Sequence, residues 1–395
     1  MNNLTIYLFY TLCVLLILIY LILKLKYKFW ILQPVFHYYD FPYWFYNKGV
    51  IQDETPKKNK YVNNFNIITY NFNDLDMDKS SLLNKFHYFI RKFYFQSKDN
   101  YFAPLYNNII PYLDKHNDNV FLSFYYESKL FTDKSANIID YKNIIGVMCS
   151  RPLVIHINKI MFDIYYVDYL CIDKTKRNIG IAPQVIQTHE YNQRHTNHNI
   201  KTSLFKREGE LTGIVPLCVY TTYCYKLSSI NFPREINNVY KILSVDSQNI
   251  YLLNDFFKNE EKFIIKIYPC MANLLNLIES KNIKINIIMK HEEITCIFFY
   301  RKTCTFINKN EIVSCFASYK SVLLDSNEFT NLFLHSLKQF ANLFSYISIE
   351  NISDNHILVS NFENKYKNIA CSPYAYFFYN YAYRTLHPNK VIIIN

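Results

Sequence analysis

The sequence predicts a mixed fold of strands and helices, α/β or α+β, standing behind one apolar N-terminal helix. Three observations predict it. Leu4 to Leu23 is a twenty-residue run without a charge. Behind it, strand-like and helical segments alternate over two stretches of similar length. Half of all residues are hydrophobic (50%), so the remaining chain has ample material for a packed core and disorder is not the default.

Leu4 to Leu23 is long enough to span a hydrocarbon core as a helix. No small-residue cleavage site follows it, so residues 4–24 are expected to be a signal anchor rather than a removed signal peptide. Lys24, Lys26 and Lys28 come directly after, which places the body on the cytoplasmic side of a single-pass protein. A buried core helix is the plainer alternative. Ser81 to Phe95 has a helical stripe at Leu82, Leu83, Phe86, Phe89, Ile90 and Phe93. Asn119 to Tyr126, Ile144 to Cys149 and Ile164 to Ile172 have strand character. The second half repeats the mix, with strands at Phe263 to Tyr268, Ile283 to Met289, Thr295 to Tyr300 and Ile312 to Ser318, then a helix at Glu328 to Leu343. A duplicated unit fits this spacing. No short-period repeat is present, which excludes a solenoid.

Several chemistries are excluded or disfavoured. Five glycines is a low count, and no GxxxxGK[ST] occurs, so a P-loop is absent. Ten cysteines are scattered singly, mostly in apolar runs, and read as reduced core residues of a cytoplasmic body. No ligand pairs have metal-binding spacing, so no metal is expected. His189, His195 and His198 read as a solvated helix-and-loop cluster. There is no G-x-S-x-G elbow. Cys171 with His156 or His189 forms a conceivable nucleophile pair, but a cysteine in an apolar strand is usually core. The net charge of +11 suits an anionic leaflet or a cofactor with several phosphates. No RNP-like or zinc pattern supports nucleic acid as a partner.

Two places carry positive chemistry. Val391-Ile392-Ile393-Ile394-Asn395 is an apolar, β-branched run expected to pack as a strand. The α-carboxylate of Asn395 would then be buried, and a buried carboxylate needs a partner or a use as a base. The plainer reading is a solvated edge strand. The second place is Val167-Asp168-Tyr169-Leu170-Cys171-Ile172, which runs through Asp173-Lys174-Thr175-Lys176 into Arg177-Asn178-Ile179-Gly180-Ile181-Ala182. A strand entering a turn that opens a helix at Ala182 presents successive backbone N–H groups to an anion, and glycine lets a phosphate come close. An ordinary strand–helix corner is the alternative.

At these residues the chain resembles the eukaryotic N-myristoyltransferases (glycylpeptide N-tetradecanoyltransferases). Tyr27-Lys28-Phe29-Trp30 with Gln33-Pro34-Val35 is similar to that family's YxFWxxQPV segment. Tyr94, Asp99-Asn100, Phe102 and Tyr106 follow in order, as do Gly146 and Pro152 of a GxIxxxP strand. Tyr169-Leu170-Cys171 with Lys174, Arg177, Ala182 and Pro183 resembles the NFLCxHKKLRxxxxAP signature, and Phe378-Tyr379-Asn380 with Lys390-Val391 resembles the family's ending. The resemblance implies an α+β fold of tandem fused GNAT-like halves, residues 25–228 holding acyl-CoA and residues 229–395 on the peptide side. It implies myristoyl-CoA as co-substrate and the N-terminal glycine amine of peptides or proteins as acceptor. Tyr169 and Leu170 would supply a backbone oxyanion hole and the Asn395 carboxylate the base. Tyr27, Lys28, Phe29, Trp30, Leu170, Cys171, Ile172, Arg177, Asn178, Ile179, Gly180, Ile181 and Ala182 would bind the acyl-CoA.

The chain departs from the family at Asp168 and Asp173, which stand for Asn and His. Ile179-Gly180 replaces a Lys-Arg pair in the phosphate turn, and Gln96-Ser97-Lys98 replaces an acidic run, so a changed peptide preference is expected. These departures keep a second expectation open: a membrane-anchored binding or structural protein of the same fold, without turnover.

Overall fold

The computed structural model describes every residue except 1–2, 27, 47–48, 76–78, 98, 133–137, 159 and 210–212. The chain runs α1 (Asn3–Lys26), α2 (Phe41–Phe45), β1 (Gly49–Val50), β2 (Ile67–Asn71), α3 (Lys79–Phe93), β3 (Asn100–Phe102), β4 (Phe121–Thr132), β5 (Ile138–Ile157), β6 (Ile160–Ile172), α4 (Ile181–Thr196) and β7 (Ser203–Glu208). It continues through β8 (Cys218–Lys226), β9 (Tyr240–Ser244), α5 (Tyr251–Asn259), β10 (Ile265–Tyr268), α6 (Met271–Glu279), β11 (Ile283–Lys290), β12 (Glu293–Ile307) and β13 (Asn310–Lys320). Then come α7 (Ser326–Leu337), β14 (Tyr346–Glu350), α8 (Asn355–Glu363), β15 (Ala370–Tyr379), β16 (Tyr381–Ala382) and β17 (Val391–Ile393).

Fifteen of the described strands join one sheet, whose main path is β17-β10-β5-β6-β7-β15-β8-β14-β13-β12-β11-β9. The fold is therefore mixed α+β, with helices packed on a long, largely antiparallel sheet. The apolar runs that lack alternation are strands covered on both faces. Cys296, Phe298 and Tyr300 of β12 point into a cluster with Phe329 and Phe333 of α7. Ile297 and Phe299 point the other way, into a cluster with Leu253 and Phe257 of α5. The amphipathic stripe of α3, from Leu82 to Ile90, buries against Leu122, Phe124, Val147 and Cys149 of β4 and β5. Each such buried phenylalanine or leucine contributes about 1.5–3 kcal/mol.

The apolar C-terminal run is a strand at the end of the sheet's main path, but a buried one rather than a solvated one. β17 pairs parallel with β10, Ile265 opposite Val391 and Ile267 opposite Ile393. Val391 to Ile394 are all buried and Asn395 is 3% exposed. β10 in turn pairs antiparallel with β5, so the chain's last residues are carried to the strands of its first half. At the other end α1 holds one stretch, Thr5–Ile22, long and apolar enough to cross a membrane, and none of that stretch is buried.

Candidate functional site

The β5–β6 hairpin makes the central feature. Its register passes from Val147 opposite Cys171 to Cys149 opposite Asp168, so Tyr169 and Leu170 together face Met148 alone. This is a β-bulge, which bends a strand and re-aims its backbone groups. Tyr169 has φ +50, in the left-handed region that a bulky residue occupies only under constraint. The constraint is its ring, which packs 5.8 Å from Tyr94, 6.1 Å from Phe86 and 6.3 Å from Phe102. The Tyr169 N–H donates to Asp168 Oδ1 at 2.8 Å. Burial pushes the Asp168 carboxyl up, against the pull of nearby Arg151.

β6 ends at Ile172 and the chain turns. Asp173 caps the turn, its Oδ1 accepting the Thr175 N–H at 2.9 Å. Asn178 (φ +64) and Gly180 (φ +86) both take left-handed conformations, and Gly180 is the N-cap of α4. The first N–H groups of a helix have no intrahelical acceptor and point outward along its axis. Arg177 braces this turn rather than standing free, donating to the carbonyls of Ile172 at 3.2 Å and Phe93 at 2.8 Å. Gly146 lies beneath Ile172 of β6 and Val185 of α4; a Cβ there would stand 2.8 Å from Ile172 Cδ1 and 3.5 Å from Val185 Cγ2.

The underside of α4 holds a buried chain of polar groups that sequence reasoning placed in solvent. His189 is 1% exposed; only His195 and His198 are exposed. Ser150 donates to Gln193 at 2.5 Å, so it must accept from His189 Nε2 at 2.8 Å. His189 Nδ1 then accepts from Ser123 at 2.8 Å. Burial lowers the His189 imidazole to about 3. Burial raises the neighbouring Glu190 carboxyl to about 7, with Arg194 opposing. These two shifts act on stability with opposite signs. An imidazole depressed below its ordinary 6.5 destabilises the fold as pH falls from 6.5. A carboxyl raised above 4.5 destabilises it as pH rises from 4.5. Between pH 5 and 6.5 the slopes nearly cancel. Glu190→Gln should therefore expose a loss of roughly 2 kcal/mol between pH 6.5 and pH 5, and His189→Gln the reverse, in urea unfolding at the two pH values. Parallel profiles in both variants and the parent would contradict this.

Across the sheet lies a second polar group drawn from residues distant in sequence. Glu350 of β14 is paired with Arg301 of β12, with Lys206 of β7 at 3.0 Å, and with the Tyr220 hydroxyl at 2.6 Å. Although burial works against it, Arg301 and Lys206 hold the Glu350 carboxyl at about 2. Arg301 Nη1 also donates to Asn395, 3.4 Å from its main-chain O and 3.3 Å from Oδ1. Tyr376 OH donates to the same Oδ1 at 3.4 Å. Asn395 is therefore held beside a cation already committed to Glu350.

One cleft of about 1270 Å³ connects these parts. Of the residues expected to act, Asn395, Tyr169 and Leu170 line it. So do Trp30, Cys171, Ile172, Arg177, Asn178, Gly180, Ile181 and Ala182. Tyr27 lies outside the described residues. Lys28 and Ile179 are exposed away from the lining, and Phe29 is buried against the rings of Trp30 and Tyr61 instead. Cys171 is 3% exposed and burial pushes its thiol to about 12, which removes it as a nucleophile. His156 is bonded to the Tyr268 hydroxyl at 2.7 Å. Among the described residues no cluster of metal-ligating side chains occurs.

The fold is similar to that of solved N-myristoyltransferases. A structure of Saccharomyces cerevisiae N-myristoyltransferase with bound myristoyl-CoA is similar at a TM-score of 0.70 and 12% identity, over 93% of this chain and 99% of that one. A second such structure gives 0.71 at 11% identity, over 93% and 94%. A third, with bound myristoyl-CoA and inhibitors, gives 0.68 at 14% identity, over 93% of each. No protein-family profile matches the sequence, and no characterised protein matches it by sequence alone.

Proposed function

We propose that this protein is an acyltransferase that moves a myristoyl group from myristoyl-CoA to the N-terminal glycine amine of a peptide or protein. The observation that carries the reading is the meeting, in one cleft, of the bulged Tyr169–Leu170 backbone, the α4 N-terminus and Asn395. The cleft exceeds the about 300–1,000 Å³ usual for a single small ligand, as two substrates require. The turn from Arg177 to Ala182 would hold the phosphates through backbone N–H groups. The Leu170 and Tyr169 N–H groups would face the thioester oxygen. The Asn395 carboxylate would take a proton from the glycine ammonium, and the freed amine would attack the thioester carbon. The C–S bond then breaks, an amide forms, and the CoA sulfur leaves as the thiol with the amine's second proton. Residues 25–228 would serve the acyl donor and 229–395 the acceptor. The side chains of Lys28 and Ile179 have no role in this arrangement.

α1 would anchor the body to a membrane on the side of Lys24, Lys26 and Lys28, the cytoplasmic side by charge bias. Both the acyl donor and the acylated product favour such a surface. One observation favours the second reading, a binding protein without turnover: Asp168 already occupies the Tyr169 N–H.

The test uses the full chain in lipid nanodiscs, with empty nanodiscs as the blank. Calorimetric titration with myristoyl-CoA should show saturable binding at micromolar concentration or below. A glycine peptide should then gain a myristoyl mass that its N-acetylated form does not. Binding without transfer selects the second reading as a binding protein, and absence of binding leaves only its structural form.

A further inference from the structure

Arg151 is a buried cleft cation that the proposed reaction leaves unused. It lies in the middle of the apolar strand β5 and is 1% exposed. Its guanidinium stacks on Tyr112 and Tyr166, 5.0 and 5.1 Å from the ring centroids. Its Nε and Nη1 have no hydrogen-bond partner among the described residues, yet the side chain lines the cleft. A buried charge is retained at a cost unless something pairs with it, and two tyrosine faces return only part of what water supplied. The other two cations of the cleft floor differ. Arg301 and Lys206 share the Glu350 carboxylate. Arg151 thus keeps two open donors in the cleft wall, although the buried Asp168 carboxyl lies close enough to feel its charge.

Its position indicates what it waits for. Arg151 stands opposite Tyr166, on the far side of Asp168 from the Gly180 turn. That places it with Lys206 and Arg301 about Asp168 rather than with the phosphate turn, which on the acyltransferase reading would be the acceptor's end of the cleft. The lining as a whole carries seven basic side chains against four acidic ones. A planar guanidinium with open donors matches a carboxylate in shape and charge. We infer that Arg151 is a recognition site for a carboxylate on the acceptor, so that this protein selects peptides with an acidic side chain close to the terminal glycine. The inference rests on the acyltransferase reading for the identity of the acceptor.

The experiment separates the two. Short dye-labelled peptides beginning with glycine carry one Asp at successive positions near that end, each matched by the same peptide with Asn. Binding to the full chain in nanodiscs is read by fluorescence anisotropy, and acyl transfer is read separately by mass. One Asp position should bind roughly tenfold more tightly than its Asn counterpart, as a charge-assisted hydrogen bond gives. Arg151→Met should abolish that preference, and Arg151→Lys should keep part of it. Arg151→Met also removes the charge beside the buried Asp168 carboxyl, so some loss of melting temperature is expected, and Arg151→Lys, which keeps that charge, is the folding control. No preference at any position, no peptide binding at all, or a preference that survives in Arg151→Met overturns the inference. A melting point lowered in Arg151→Met with peptide binding unchanged also overturns it, since the side chain is then structural. Preference without transfer leaves the inference standing and sinks the acyltransferase reading; transfer without preference does the opposite.

Discussion

Glu350→Ala is expected to lower the stability of this protein by about 3–5 kcal/mol, the usual result of removing one partner from a buried ion pair. The carboxylate is 4% exposed and serves Arg301, Lys206 and Tyr220 together. Without it two cations stand side by side in the sheet with nothing between them. The pH dependence gives the sign. The folded carboxyl sits at about 2, below its ordinary 4.5, so its stabilisation is fully present above 4.5 and is lost as pH falls through 2. Parent and variant should therefore differ most at neutral pH and converge in strong acid, as thermal unfolding followed by tyrosine and tryptophan fluorescence would show. Glu350→Gln keeps an acceptor for Tyr220 but no charge, and should fall between the two. A variant as stable as the parent at pH 7 would mean that the pair only breaks even against its desolvation.

How much of this was legible beforehand follows from separation along the chain. The hairpin ending at Ile172, the turn through Gly180 and the helix opening beyond it are contiguous, so local pattern sufficed. α3 begins at Lys79 and ends at Phe93, against the Ser81 to Phe95 expected, because Phe95 takes a left-handed φ of +32 and closes the segment. β12 extends well past Tyr300 because polar residues on its later half still pair with β3 and β13. The Lys206–Glu350–Arg301 group was not legible, since its members are joined only by the order of strands in the sheet. His189 was misread because its neighbours His195 and His198 are exposed; the helical period alone puts His189 on the buried face with Val185. Arg151 did leave a signal, a lone charge inside the apolar run from Gly146 to Ile157.

The second large effect concerns the chain end. Adding even a short Gly-Ser extension after Asn395 should lower the rate of acyl transfer by about 10²–10⁴-fold, the usual worth of a positioned general base. The reason is geometric. Ile394 is fully buried and Asn395 nearly so, which fixes the α-carboxylate in the cleft wall; an extension replaces it with a neutral amide. Glu350 matters here as well. By holding Arg301 it keeps that guanidinium from a tight pair with the Asn395 carboxylate, and a tight pair would weaken the base. Asn395→Ala is the discriminating companion. It retains the α-carboxylate and removes only the side-chain contacts to Arg301 and Tyr376, so its rate should stay within a few-fold of the parent. Myristoyl-CoA affinity should be unchanged in both proteins, because on the proposed reading the acyl donor would be held by the Arg177–Ala182 turn and not by Asn395. Single-turnover kinetics with a glycine peptide gives the answer. If the extended protein transfers as fast as the parent, the base lies elsewhere in the cleft. If Asn395→Ala fails as badly as the extension, the side chain rather than the carboxylate carries the role, and the mechanism must be rebuilt around its amide.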